Sequence, residues 1–284
     1  KSRGRFSSSF RPNALVPTRN LHIDVQVVIL RPDMQSPRKT ILITGSSAGI
    51  GAATAILAAR RGYDVAIHYR ADVKAAQLVA HLAEEAGAKT AIFKADVGIP
   101  LEVERLFGDF DNTFSSLDGL VNNAGIVDVA ARLDEMSAER MARIVNVNLI
   151  GAMLVAKEAV LRMSQNFGGD GGSIVTISSA AARLGAAGQY VDYAATKGAI
   201  DTFTKGLANE VAREGIRVSA IRPGVIETAI HAKGGEPDRA DRLADSIPLG
   251  RAGTAEECAE AILFLLSEQS SYVTGTILDV SGGR

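Results

Sequence analysis

The chain has 284 residues, 46% of them hydrophobic, with 31 basic and 32 acidic side chains and a formal charge of −1. That balance leaves no global field to draw nucleic acid or anionic lipid, and no unbroken apolar run reaches bilayer length. The lone Cys258 excludes an internal disulfide and suits a reducing compartment, so a cytoplasmic protein is expected, with neither nucleic acid nor membrane as partner.

Residues 1–20 carry five Lys or Arg, several Ser and no acid. Such a start resembles an organelle transit peptide but lacks an amphipathic period. Residues 1–36 are read as an extension, disordered or loosely attached, ahead of a candidate natural start at Met34. Within it Ile23, Val25, Val27 and Ile29 alternate as an extra strand would.

From Lys39 onward apolar strands alternate with helical stretches. Strands are expected at residues 40–44, 64–69, 90–94, 119–121, 173–177, 217–221 and 276–280. Helices are expected at 49–61, 71–86, from Pro100, at 138–165, 189–212 and up to Leu266, the last opened by a Thr254–Glu257 capping box. Strands separated by helices imply a mostly parallel, seven-stranded sheet wound on both faces, a single domain over residues 37–284. The irregular stretch 224–251 has the length of a functional loop.

Thr44-Gly45-Ser46-Ser47-Ala48-Gly49-Ile50-Gly51 follows the first strand and opens the first helix. In that context Gly45 permits a tight turn, Gly49 a close approach of backbone to a pyrophosphate, and Gly51 close helix–strand packing. The helix start then offers unpaired N–H groups and a positive dipole end. Far along the chain, Tyr193 and Lys197 stand at i and i+4, sharing one helix face. An ammonium beside a phenol favours phenolate and would bring its pKa below the ordinary value near ~10. Such a phenol can trade a proton with a carbonyl or alcohol oxygen. The four histidines lack ligand spacing with one another or with Cys258, so no metal site is expected.

The glycine turn, Asn122-Asn123-Ala124-Gly125, Ser178-Ser179, Tyr193-x-x-x-Lys197 and Arg222-Pro223-Gly224 together resemble the ordered motifs of the short-chain dehydrogenase/reductase family, over residues 40–283. The resemblance implies a Rossmann-type doubly wound α/β fold and a catalytic set of Asn148, Ser179, Tyr193 and Lys197. Ser178 and Asn146 are the neighbouring rivals. The position nearer the catalytic helix favours Ser179, and the Asn-Leu-x-Gly context favours Asn148. Asn148 would hold a water leading from Lys197 to solvent, and Lys197 would also grip the nicotinamide ribose. The interval from Ser179 to Tyr193 is one residue longer than in many members, a difference assigned to a loop at 183–189.

By the same resemblance, Gly45, Ser47, Gly49, Ile50 and Gly51 hold the pyrophosphate end and Asp96-Val97 the adenine. Asn123-Ala124-Gly125 would pack on the adenine ribose, and Pro223-Gly224-Val225-Ile226 with Thr228 would cradle the nicotinamide. After the second strand comes His68-Tyr69-Arg70, with no acid before Asp72. Arg70, helped by Ser47, is therefore assigned to a ribose 2′-phosphate, so NADP(H) is preferred and NAD(H) left open.

The expected activity is interconversion of a secondary alcohol and its ketone, near glucose dehydrogenase-like and oxoacyl-carrier-protein reductase-like members, with a sugar or an oxoacyl thioester as substrate. The rival is a dinucleotide-binding sensor or scaffold without catalysis. Family resemblance also implies a homo-oligomer, commonly a tetramer, paired through helices 138–165 and 189–212 and through residues 274–280.

Overall fold

Short aliphatic runs, each stopped by a turn, form the sheet of the computed structural model, in which residues 38–228, 234–236 and 238–284 are described. The expectations about the extension and its alternating strand fall outside the described residues. The strands are β1 (Thr40–Ile43), β2 (Asp64–Tyr69), β3 (Thr90–Lys94), β4 (Gly119–Asn122), β5 (Gly172–Ile177), β6 (Ile216–Pro223) and β7 (Ile277–Val280). The helices are α1 (Gly49–Arg60), α2 (Val73–Glu85), α3 (Pro100–Asp111), α4 (Ala138–Val145), α5 (Ala152–Met163), α6 (Ala181–Leu184), α7 (Val191–Val211), α8 (Arg239–Leu243) and α9 (Ala255–Leu266). The strands lie in the order β3-β2-β1-β4-β5-β6-β7, and every pairing is parallel.

Side chains alternate across a strand, so each central strand feeds two cores. Ile41, Ile43, Val65, Ile67 and Val121 pack with α1, α2 and α9 on one face. Leu42, Ala66, Leu120 and Ile174 pack with Phe107, Phe110, Val155 and Met163 on the other. Burial on both faces explains why these strands read as unbroken apolar runs. Connections step from β1 outward to β3, then return to β4 on the opposite side of β1. The chain diverges there, and a crevice opens beyond the C-terminal ends of β1 and β4.

Helix 138–165 differs from its expected form. A π-helical turn, Asn146–Gly151, separates α4 from α5, which ends at Met163. Asn146 Nδ2 donates to Gly98 O at 2.8 Å, and a Cβ at Gly151 would lie 2.7 Å from Val97 O. The helix is thus pressed onto the loop after β3, and the wider turn accommodates that contact. The run Ala138–Met163 spans 26 residues and holds an 18-residue window of mean hydropathy 1.6, enough by length and composition to cross a bilayer, although charged residues interrupt it. Here its Val155, Ala159 and Met163 fill the core as a buried helix does.

The Thr254 capping box forms as expected: Glu257 N donates to Thr254 Oγ1 at 3.2 Å and Thr254 N to Glu257 Oε2 at 2.9 Å. The other end of α9 is held by a device the sequence did not announce. Arg217 on β6 donates to Leu265 O at 2.8 Å, Leu266 O at 3.2 Å, Ser267 O at 3.0 Å and Ser270 Oγ at 2.8 Å. One guanidinium thereby satisfies carbonyls that a helix end leaves without partners. Replacing Arg217 with Met should lower the unfolding free energy by about 2–3 kcal/mol, since several carbonyls lose a charged donor at once. Urea denaturation of both proteins measures this, and an unchanged midpoint would contradict it.

Candidate active site

The crevice beyond the strand ends is a cleft of about 960 Å³. Two turns make its floor. Asn123 Nδ2 donates to Thr44 O at 2.8 Å and Gly45 O at 3.1 Å, while Asn123 N and Ala124 N both donate to Thr44 Oγ1 at 2.9 Å. The turn after β4 is thus bolted to the turn after β1. Gly51 sits beneath the bolt: a Cβ there would lie 2.6 Å from both Asn123 Nδ2 and Gly45 O. Gly45 has φ +65° and Gly49 φ +56°, backbone states that glycine adopts without strain. Asn122, whose role the sequence left open, is buried and donates to Ala152 O at 2.7 Å, a packing contact.

Of the expected cofactor residues, Gly45, Ser47, Gly49, Ile50, Arg70, Asp96, Val97, Asn123, Ala124 and Gly125 line the cleft, as do Pro223, Gly224, Val225, Ile226 and Thr228. Gly51 stands behind the wall, in the packing role expected of it. Near the ends of β2 and β3, Arg70 Nη1 lies 3.7 Å from Asp96 Oδ2, and Asp96 Oδ1 accepts from Gly98 N at 2.9 Å. Asp72 lines the same end of the cleft, where its Oδ1 accepts from Ala75 N at 2.9 Å as the N-cap of α2. Across the cleft, a Cβ at Gly49 would lie 3.5 Å from the Thr228 methyl, so the segment after β6 comes close to the glycine turn.

The cleft wall opposite is built by β5, β6 and α7. Ala180 N donates to Pro223 O at 2.9 Å, which places Ser179 beside the Pro223–Gly224 segment. The two serines separate cleanly. Ser178 Oγ is buried and donates to Asp201 Oδ1 at 2.6 Å, whereas Ser179 lines the cleft and its hydroxyl meets the Tyr193 phenol. Lys197 is only 5% exposed, donates to Ile177 O at 2.6 Å, and has its Nζ 5.5 Å from the centre of the Tyr193 ring.

Burial pulls the Lys197 ammonium down to about 8, with Asp201 opposing. The Tyr193 pKa moves against expectation. Tyr193 as a residue is half-buried, since one edge faces the cleft. Its phenol end is desolvated, which pushes the pKa up, and the Ser179 hydrogen bond opposes without reversing it. The depression expected from Lys197 does not appear: burial raises the value and the Ser179 hydrogen bond is what opposes it.

Asn148 does not line the cleft. Its side chain is wholly engaged with Ile126, accepting from Ile126 N at 2.7 Å and donating to Ile126 O at 2.8 Å. The loop expected at 183–189 begins as α6 and then turns through Gly185, Ala186 and Gly188, all with positive φ. Ala186 is the one non-glycine residue in that state among the described residues, and it lines the cleft.

Three polar groups escaped the sequence reading. Arg140 forks onto Asp192 (2.8 and 3.3 Å), whose Oδ1 also accepts from Tyr193 N at 2.8 Å. Arg222, quoted only as part of a motif, donates to Asp201 Oδ2 at 2.9 and 2.7 Å. His68, at the end of β2, is 2% exposed; its Nδ1 accepts from Gly45 N at 2.9 Å, and its Nε2 lies 3.0 Å from Ala95 O. A histidine two residues before Arg70, at a strand end facing a glycine turn, was the available signal for the last. Among the described residues no cluster of His, Cys, Asp and Glu is placed to hold a metal ion. Burial pushes the Cys258 thiol up to about 12, a packing residue as expected.

A family model described as Enoyl-(Acyl carrier protein) reductase matches residues 45–284. An Escherichia coli (strain K12) protein described as uncharacterized oxidoreductase YgfF is 49% identical over 243 residues, 86% of this chain and 98% of that one. The L-rhamnose 1-dehydrogenase (NAD(P)(+)) of Sphingomonas sp. (strain SKA58) is 38% identical over 86% of this chain and 95% of its own. The solved structure of a short-chain type dehydrogenase/reductase from Mycobacterium marinum superposes with TM-score 0.81 at 34% identity, covering 86% of this chain and 94% of that one.

Burial drives the His68 pKa down from 6.5 to about 4, opposed by the hydrogen bond to Ala95. The unfolded chain therefore binds a proton between those values that the folded one refuses, and stability falls as pH drops from about 6.5 towards about 4. The loss from this one group is on the order of 3 kcal/mol. Unfolding midpoints of the wild type and of His68→Phe across that range check it: the variant should have the shallower slope.

Proposed function

The chain belongs to the short-chain dehydrogenase/reductase family of oxidoreductases acting on CH–OH groups, and we propose that it interconverts a secondary alcohol and a ketone with NADP(H). The observation that carries this is the convergence of two hydroxyls, Ser179 and Tyr193, at one point of the cleft, with the buried Lys197 behind them. A dinucleotide fits the remaining walls: the start of α1 supplies free N–H groups for phosphates, and Gly49 leaves room for their approach. NADP(H) when bound supplies or accepts the hydride at the nicotinamide C4.

This chain's residues handle the proton and the orientation. Ser179 donates to the substrate oxygen and steadies its developing negative charge. Tyr193 gives that oxygen a proton in reduction and takes one in oxidation. Its raised pKa keeps the phenol protonated at neutral pH, the state that reduction needs. Lys197, with a pKa near about 8, can return the proton and hold the nicotinamide ribose. Because the Asn148 side chain is occupied, its main-chain oxygen is the group left for a water on the path to solvent.

NADP(H) is preferred over NAD(H) because Arg70 is the cation at the adenine ribose, exposed and in a long 3.7 Å contact with Asp96, and the nearest following acid, Asp72, caps a helix. The similarity to a rhamnose dehydrogenase favours a sugar over an oxoacyl thioester as substrate. We place this activity in residues 37–284, with residues 1–36 as an extension, in a cytoplasmic homotetramer. Exposed Val145, Ile150 and Met153 along α4, the π-turn and α5, and Tyr272 and Leu278 near β7, are its pairing surfaces.

Tyr193→Phe should lower NADPH-dependent ketone reduction by about 100-fold or more while leaving NADPH binding intact. Near-normal turnover across a panel of ketones and sugars would sink the proton-transfer assignment. Arg70→Asp should raise the KM for NADPH by about 10-fold or more relative to NADH. Equal effects on both would remove the basis for the cofactor preference. Light scattering should give four chains per particle.

A further inference from the structure

β2 is the middle strand of β3-β2-β1, so a side chain at its C-terminal end can reach both neighbouring strand ends. His68 does so. Its ring accepts from Gly45 N at 2.9 Å on the β1 side and meets Ala95 O at 3.0 Å on the β3 side. Its backbone adds two more ties to the same turn: Ser46 N donates to His68 O at 2.9 Å, and His68 N donates to Ser46 Oγ at 3.0 Å.

We propose that His68 is a positioning residue for the dinucleotide, a neutral imidazole that sets which N–H groups of the glycine turn face the phosphates and fixes the spacing between that turn and the adenine segment. The inference rests on the cofactor reading above and adds a residue that reading does not use.

The hydrogen-bond chemistry admits one tautomer. Gly45 N–H can only donate, so Nδ1 must be bare, and the proton then sits on Nε2, where Ala95 O accepts it. His68 thus consumes the N–H groups of Gly45 and Ser46, one through its ring and one through its carbonyl. The next N–H groups, at the start of α1, have no acceptor within the helix and point where an anion is held. Without the ring, the Gly45 N–H would compete for the same space or lie buried without a partner.

On the other side, Ala95 directly precedes Asp96, whose carboxylate faces Arg70. The ring therefore spans the phosphate end and the adenine end of one ligand. A second proton on the imidazole would set N–H against N–H, and the refusal of that proton agrees with burial holding the pKa low. Phe fills the volume of the ring with neither bond, Gln can supply an acceptor and a donor at similar reach, and Asn is too short to do both.

The test is NADPH fluorescence titration of the full chain as wild type, His68→Phe, His68→Gln and His68→Asn, with a thermal melt of each to confirm folding. We expect the NADPH Kd to rise about 10-fold or more in His68→Phe and His68→Asn, and His68→Gln to recover to within about 3-fold of wild type. A purely structural role would lower the melting temperature and leave the Kd of the folded protein alone. Folded His68→Phe with the wild-type Kd overturns the proposal. If His68→Phe does not fold, equal Kd values for His68→Gln and His68→Asn overturn it instead. Wild-type protein that binds neither NADPH nor NADH would overturn the cofactor reading, and this inference with it.

Discussion

The site depends on one contact too close for any side chain but hydrogen. The Asn123 amide and the Gly45 carbonyl each come within 2.6 Å of the place that a Cβ of Gly51 would occupy. That proximity lets Asn123 hold the turn after β1, and so joins two strands whose following chains run in opposite directions across the sheet. A crevice at such a switch point is a property of the topology. Its floor is a property of these residues, because Thr44 Oγ1 and Asn123 between them make four hydrogen bonds across the gap. The glycine turn is thus held in place before any ligand arrives, and little ordering is left to oppose binding.

The buried amine and phenol are governed by burial as much as by charge. Lys197 and Tyr193 are desolvated together, which moves them in opposite directions: the amine down to about 8, the phenol up. Asp201 limits the fall of Lys197, and Asp201 in turn accepts hydrogen bonds from Ser178 and Arg222. A buried amine with a lowered pKa thus lies beside a phenol whose pKa is raised. Arg140 and Asp192 add the mechanical part, since the same carboxylate that closes the ion pair also caps the Tyr193 N–H. A buried pair of this kind is weak evidence for stability, and its contribution is better sought in fixing the start of α7.

What could be read from the sequence was what spacing encodes. The apolar strands, the glycine turn, the Thr254 capping box and the i, i+4 tyrosine and lysine all act through residues near one another in the chain. The missed features join residues far apart. The π-turn answers the pressure of Gly98 and Val97 on Asn146 and Gly151, which no helical period records. Asn148 was assigned a water leading from Lys197, and its spacing did not disclose that its side chain bonds Ile126. Arg217 resembled any charged strand residue until α9 ended against it. The Tyr193 pKa was misjudged because pair spacing was visible and burial was not.

The two ends of the cleft are constructed differently, and this bears on which of them sets specificity. The chemical end rests on strand termini and a long helix, held by hydrogen bonds among β5, β6 and α7. The substrate end is made of turns: Ala186 in the left-handed state between two glycines of the same kind, then Tyr190, whose hydroxyl donates to Gly234 O and Glu236 Oε2 at 3.1 Å. Glu236 is gripped in turn by Arg239 and Arg242. Those contacts tie Gly234, Glu236, Arg239 and Arg242 to Tyr190, just before α7. Exchanges among them would reshape that wall of the cleft without moving Ser179, Tyr193 or Lys197. One scaffold can then keep its proton chemistry while its substrate changes, as sites carried on loops above a rigid sheet permit.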